Sequence, residues 1–240
     1  MLTAYRLLTR CIHVATFPVT RFRAARGQQI WRDRLGLNSD DSPADVWLHA
    51  ASVGEVKVLC HFAEYLRRKR PGMKIYLTVV TEQGFQSARR LLPESVTVRF
   101  LPADTTPVVA RVLDRIHPRC LVIAETEIWP NLITLAHERR IAVILVNGRM
   151  SDSGFRRYQL IGSFLGRLLR CYDRFFFKSD LDAQRYRFFG VPETKYQVVG
   201  DMKFDAPLWP RSADRIANIR AVLGAGDADF LLIAGDRKST

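Results

Sequence analysis

Residues 46–80 read VWLHAASVGEVKVLCHFAEYLRRKRPGMKIYLTVV, and this stretch decides the fold. Two short apolar runs, Val46–Ala51 and Lys74–Val80, enclose an amphipathic helical stretch at 55–69. Bulky and β-branched runs of this length suit strands buried on both faces. The rhythm continues outward. Further apolar runs fall at Val96–Leu101, Cys120–Ala124, Ile141–Val146, Arg174–Phe177 and Tyr196–Val199, with helices predicted at 82–92, 105–116, 131–140, 155–171 and 180–189. Alternation of this kind predicts an α/β fold with a doubly wound parallel sheet. Ligands of such sheets sit outside the carboxyl ends of the strands, so the residues just after each run are the ones that can carry chemistry.

The first run leads into Ser52, Gly54 and Glu55. Ser52 and Glu55 stand in the S-x-x-E relation of a helix capping box, which is one reading of the pair. The other is that Gly54 lets a ligand approach the backbone while Glu55 faces the cleft as a proton acceptor for a hydroxyl nucleophile. The fourth run ends in Glu125-Thr-Glu127-Ile-Trp-Pro130. Two carboxylates directly after a buried strand are not needed for packing, although a solvated loop has the same composition. Asp104 reads as the N-cap of the helix at 105–116. Asn147-Gly-Arg149-Met-Ser151 reads as a turn ending in an N-cap, with Arg149 on the same rim, where a guanidinium fork suits phosphate or carboxylate. Lys203 lies after the last strand, either as a surface charge or facing the cleft.

The chain has 240 residues, 37 Lys+Arg against 24 Asp+Glu, and a net charge of +13. Its apolar share of 48% excludes a disordered chain. Four widely separated cysteines without a CxxC pair disfavour a zinc ribbon or a disulfide framework, and five histidines without HExxH give no metal motif. The arginine excess points to an anionic partner: nucleic acid, a membrane surface or an anionic substrate. No RNP motif, zinc finger or Lys-rich tail supports nucleic acid. Residues 1–26 place Leu2, Tyr5, Leu8, Ile12 and Ala15 at helical spacing among five arginines. The uncharged stretch is too short to span a bilayer, so this segment reads as a helix in a membrane interface or as a helix packed on the domain.

A break follows Asp201. Residues 204–210 carry two prolines and read as a linker, 211–224 as a short helix, and Asp229–Gly235 as the first strand of a second α/β unit.

Taken together, HAASVGEV (49–56), AETEIWPNL (124–132), NGRMS (147–151) with SGFRRY (153–158), and GDMKFD (200–205) resemble the N-terminal half of the 3-deoxy-D-manno-octulosonic acid (Kdo) transferases, in order and spacing from about residue 30 to 206. The resemblance implies one Rossmann-like half of a GT-B glycosyltransferase, transferring Kdo from CMP-Kdo to a lipid A precursor at the cytoplasmic face of the bacterial inner membrane, with no metal or cofactor beyond the donor. It implies residues 1–30 as a membrane-interface segment, 31–203 as the acceptor domain, 204–210 as linker and 211–240 as the opening of the donor domain. Carried over by motif, Glu55 becomes the general base, Glu125 and Glu127 the second catalytic carboxylates, and Ser52, Gly54, Arg149, Ser151 and Lys203 substrate-binding positions. Two positions depart from the family pattern. Asp201 stands where the family usually has Asn, and the G-S-T-H sequence expected after the strand at 229–235 is absent. The second departure leads to the expectation of a truncated donor domain. Two other classes compete with the enzyme reading: a non-catalytic anionic-lipid binding module on the same fold, and an RNA-binding α/β protein.

Overall fold

The computed structural model describes residues 1–205, 212–226 and 229, and the chain divides into a unit of Met1–Ala206 and a unit of Pro207–Thr240. The first unit opens with helices α1 (Leu2–Ala25) and α2 (Gln29–Arg34). Then come β1 (Val46–Ala50), α3 (Val53–Lys69), β2 (Ile75–Val79), α4 (Glu82–Leu91), β3 (Thr97–Phe100) and α5 (Thr106–Ile116). The second half carries β4 (Cys120–Ala124), α6 (Pro130–Glu138), β5 (Ala142–Gly148), α7 (Asp152–Gln159), α8 (Gly162–Leu169), β6 (Arg174–Phe177), α9 (Asp180–Phe188) and β7 (Tyr196–Val198). In the second unit, α10 (Ala213–Val222) lies within the helix expected at 211–224. Residues 206–210 of the expected linker and 230–235 of the expected strand lie outside the described residues.

All seven strands are parallel, in the order β3-β2-β1-β4-β5-β6-β7. The doubly wound sheet read from the alternation is therefore present. Every residue of β1 and β2 is buried, as a strand covered on both faces requires. The chain leaves β1 toward β2 and later returns to β1's other edge through β4. The crevice at that switch point is where such sheets bind ligands.

Three expectations are corrected. The single helix at 155–171 is two helices, α7 and α8, parted at Leu160–Ile161. Ile161 leaves helical geometry (φ −121°, ψ 26°). At Gly166 a Cβ would stand 2.7 Å from the Phe189 carbonyl oxygen, so glycine lets α8 close on the end of α9. Asp104 does not cap α5, whose N-cap is Thr105. Its carboxylate instead accepts the Asn131 and Leu132 amides (3.0 and 2.8 Å), which belong to the first turn of α6. The apolar line Leu2–Tyr5–Leu8–Ile12–Ala15 is also divided. Tyr5 faces the domain, its hydroxyl donating to Asp104 at 2.8 Å, and Arg6 meets Thr134 and Glu138 on α6. The exposed large apolar side chains of α1 are Leu7, Leu8, Ile12, Val14, Phe17, Val19 and Phe22. Among the described residues, no helix is long and apolar enough to cross a membrane.

Candidate active site

The capping reading of Ser52 and Glu55 is realised, and Glu55 also lines a cleft. Ser52 is the N-cap of α3, its Oγ accepting the Glu55 amide at 3.3 Å and donating to Glu55 Oε1 at 2.8 Å. Glu55 Oε2 accepts the amide of Ala51 at 2.8 Å rather than that of Ser52, so the box closes one residue earlier than the standard form. Both oxygens of this buried carboxylate are thus held in place, and each keeps a lone pair for a further donor. Burial pushes the Glu55 carboxyl up, the Ala51 and Ser52 hydrogen bonds pull it back, and the nearby charge of Glu125 adds to the rise. At Gly54 an added Cβ would meet only Ser52 Oγ at 3.8 Å, so no protein packing demands glycine there.

The turn after β4 brings the other two glutamates to the same place. Glu125 adopts left-handed backbone geometry (φ 56°) while its amide still bonds the Val146 carbonyl of β5 at 2.9 Å. That turn buries its carboxylate against Arg149 Nε at 2.7 Å, with Lys203 Nζ at 3.9 Å. Among the described residues, Glu127 has no such cation. Burial, then the charge of Glu55, push its carboxyl up to about 7, opposed by the Trp129 indole and reinforced by Glu125. A carboxylic acid that titrates near neutrality can exchange a proton at physiological pH.

The turn after β5 supplies the facing wall. Asn147 is buried with φ 54°, and its Oδ1 accepts the Met202 amide at 3.0 Å, tying the 147–151 turn to the 202–205 turn. Ser151 caps α7, as read, accepting the Gly154 amide at 3.1 Å. Asp182 of α9 accepts the Met150 amide at 2.7 Å, and Thr126 Oγ1 donates to the Arg149 carbonyl. The result is a cleft of about 500 Å³ whose lining includes Glu55, Glu125, Glu127, Arg149, Ser151 and Arg157. Ser52, Gly54 and Lys203 are not among its lining residues.

Tyr158 also lines the cleft, its hydroxyl pushed up by burial and by the Glu127 charge. In the sequence, Arg157 and Tyr158 belong to the SGFRRY segment. Their signal was helical spacing from the Ser151 cap, which places them one to two turns up the cleft-facing helix. Beneath the site, fully buried His49 holds Thr78 Oγ1 at 3.0 Å and meets the Trp129 ring edge to face at 6.0 Å. Burial drives its pKa down to about 4, so it stays neutral and serves as support for the loop. Asp201 pairs with Lys178 at 2.6 Å. Among the described residues, no group of three or more His, Cys, Asp or Glu side chains is arranged to hold a metal ion.

A parallel sheet with a polar, carboxylate-rich cleft at the carboxyl ends of its strands defines an α/β protein of the Rossmann-like class. The fold matches that of a UDP-N-acetylglucosamine 2-epimerase crystal structure (TM-score 0.51, 13% identity, covering 75% of this chain and 53% of that one). The chain belongs to the 3-deoxy-D-manno-octulosonic-acid transferase (kdotransferase) family, whose model matches residues 29–206. It is 33% identical to the 3-deoxy-D-manno-octulosonic acid transferase of Chlamydia pneumoniae, over 71% of this chain and 40% of that protein. It is 30% identical to a bifunctional glycosyltransferase/methyltransferase of Fusobacterium nucleatum, over 80% of this chain and 30% of that protein. To a probable mitochondrial 3-deoxy-D-manno-octulosonic acid transferase of Arabidopsis thaliana it is 29% identical, over 83% of this chain and 46% of that protein. The chain thus spans less than half the length of these relatives.

Proposed function

We propose that this chain is the acceptor-binding part of a glycosyltransferase that moves Kdo from CMP-Kdo to a lipid A precursor in lipopolysaccharide biosynthesis. The observation that carries the reading is the convergence of Glu55, Glu125 and Glu127 in one cleft at the carboxyl ends of β1 and β4. In the step proposed, the acceptor hydroxyl oxygen attacks the anomeric carbon of Kdo, the bond to CMP breaks, and the hydroxyl proton passes to Glu55. Burial favours the protonated form of Glu55, and two hydrogen bonds, from the Ala51 amide and the Ser52 hydroxyl, fix its oxygens. Glu127, poised near neutrality, is the second carboxylate of the transfer. Glu125 is neutralised by Arg149 and positions that guanidinium for an anionic group of the acceptor. Ser52 and Gly54 shape the loop, while Ser151 and Lys203 complete the acceptor contacts.

The domain limits proposed are 1–30 for the interface segment, 31–203 for the acceptor domain, 204–210 for the linker and 211–240 for the opening of a donor domain. The exposed apolar side chains of α1, flanked by arginines, support peripheral attachment to the cytoplasmic face of the inner membrane. No metal or cofactor other than the CMP-Kdo donor is invoked. The test is calorimetric titration of the chain with a lipid A precursor in detergent micelles. Saturable binding, weakened by Arg149→Ala, is expected. Binding no tighter than that of an uncharged glycolipid contradicts the reading.

A further inference from the structure

A second cavity, of about 520 Å³, lies at the amino ends of β1, β4 and β5, the end of the sheet away from the carboxylate cleft. Its floor is apolar. Val122 of β4 is buried there, but Cys120 of β4, Ile144 of β5, and Phe62 and Leu66 of α3 are only half-buried. Packing among the described residues thus leaves a bay of apolar surface open. Its volume falls within the range of about 300–1,000 Å³ usual for small-molecule sites.

The rim is cationic. Two loops meet there, one between α3 and β2 and one between α5 and β4, and Asp45 staples them together. The Asp45 amide donates to the Lys74 carbonyl at 2.8 Å, and its Oδ2 accepts the Lys74 amide at 2.8 Å. Its carbonyl accepts the Arg119 amide at 3.0 Å. Arg70 and Arg119 therefore stand on separate, tied loops and line the same cavity. Both are exposed, and neither is in an ion pair among the described residues. From Tyr65 to Thr81 the sequence holds Arg67, Arg68, Lys69, Arg70 and Lys74 and no Asp or Glu. Asp45, the acidic residue in the lining, is turned to the Lys74 amide. A basic loop alone is an ordinary solvated surface. A basic rim over an open apolar bay is complementary to a molecule with an apolar body and an anionic head, for which burial and charge-assisted hydrogen bonds add. RNA offers the charge but no apolar body to fill the bay.

We infer that this bay binds a single-chain carboxylate amphiphile, a fatty acid, with its alkyl chain against Phe62, Leu66, Val122 and Ile144 and its carboxylate between Arg70 and Arg119. The site goes beyond the proposed transfer reaction. It lies at the other end of the strands from Glu55 and shares no lining residue with the carboxylate cleft.

Calorimetric titration of the whole chain with decanoate, kept below its micelle-forming concentration, tests it. Saturable binding of one decanoate per chain is expected. Octanoate, two methylenes shorter, binds about tenfold more weakly. Decanoate binds the Arg70→Gln/Arg119→Gln variant about tenfold more weakly as well, and that variant melts with the wild type because both side chains are exposed. Decan-1-ol, which keeps the chain and loses the charge, shows a similar loss. A footprint locates the site without any substitution: decanoate slows alkylation of Cys120, which lines the bay, and leaves alkylation of the exposed Cys11 on α1 unchanged. Non-saturable uptake, equal affinity for decan-1-ol, a double variant within about twofold of wild type, or an unprotected Cys120 each overturns the inference. A single-stranded RNA oligonucleotide that binds through the two arginines while decanoate does not bind overturns it too, and assigns the rim to a polyanion.

Discussion

Two cavities of nearly equal size lie at opposite ends of the same sheet. At the amino ends of β1, β4 and β5, about 520 Å³ is lined by side chains such as Val46, Phe62, Leu66, Val122 and Ile144, with Arg70 and Arg119 among them. At the carboxyl ends, about 500 Å³ holds three glutamates, Arg149 and Arg157. Volume therefore does not distinguish them. The difference comes from the parallel sheet itself. Turns leaving the strands at the carboxyl end feed helix N-termini, where polar side chains must satisfy free amides, and those same side chains become available for chemistry. At the amino end the cavity is walled by strand residues such as Val46, Val122 and Ile144 and by Phe62 and Leu66 of α3, which are mostly apolar.

The comparison implies that the shared strand governs stability and the carboxyl-end turns govern function. Leu48→Ala, in the fully buried centre of β1, should lower unfolding stability by about 2–5 kcal/mol in a urea titration. A loss below about 1 kcal/mol would mean that β1 is not the common spine of the two ends. Ser52→Ala removes the α3 cap and should cost about 0.5–2 kcal/mol, with weaker acceptor binding because Glu55 loses one of its anchors.

Glu127→Gln should act through pH. The Glu127 carboxyl is raised in the folded chain to about 7, so between the ordinary carboxylate range and that value the folded state binds more protons than the unfolded one. Its contribution favours folding at low pH and is lost as pH rises through about 7. Melting temperatures should therefore move in favour of the Gln variant between roughly pH 5 and pH 8, and a pH-independent offset would show that Glu127 is not the titrating group. Smallest of all, Arg119→Ala at the amino-end cavity should stay within about 0.5 kcal/mol and leave acceptor binding unchanged.

Much of this contrast was legible in the sequence. The positions of all seven strands follow from apolar runs, most plainly at β1 and β2, where burial on both faces leaves an apolar local composition. The two glutamates after β4 stand out because packing has no use for them, whereas Glu55 after β1 is equally legible as half of a capping box. What sequence could not supply were contacts between distant segments. Asp104 has the identity and local position of an N-cap for α5, yet it caps α6, since its carboxylate is nearer in space to Asn131 than the sequence separation suggests. The break at Leu160–Ile161 accompanies the close approach of Gly166 to Phe189, a packing contact invisible to helical periodicity. The face that α1 turns to the domain is set by Asp104 and Thr134 rather than by its own hydrophobic spacing.

The central claim, that Glu55 is a base and not only half of a helix cap, is tested by Glu55→Gln in a protein that carries this chain together with the nucleotide-sugar domain of a family member. Glutamine serves at the same capping position, so thermal melts of variant and wild type should nearly coincide and lipid binding should persist. Turnover should nevertheless fall by about 10²–10⁴-fold, the usual contribution of a positioned proton acceptor. A folded, lipid-binding Gln variant with near-normal initial rates would contradict the account and leave Glu55 as a cap alone.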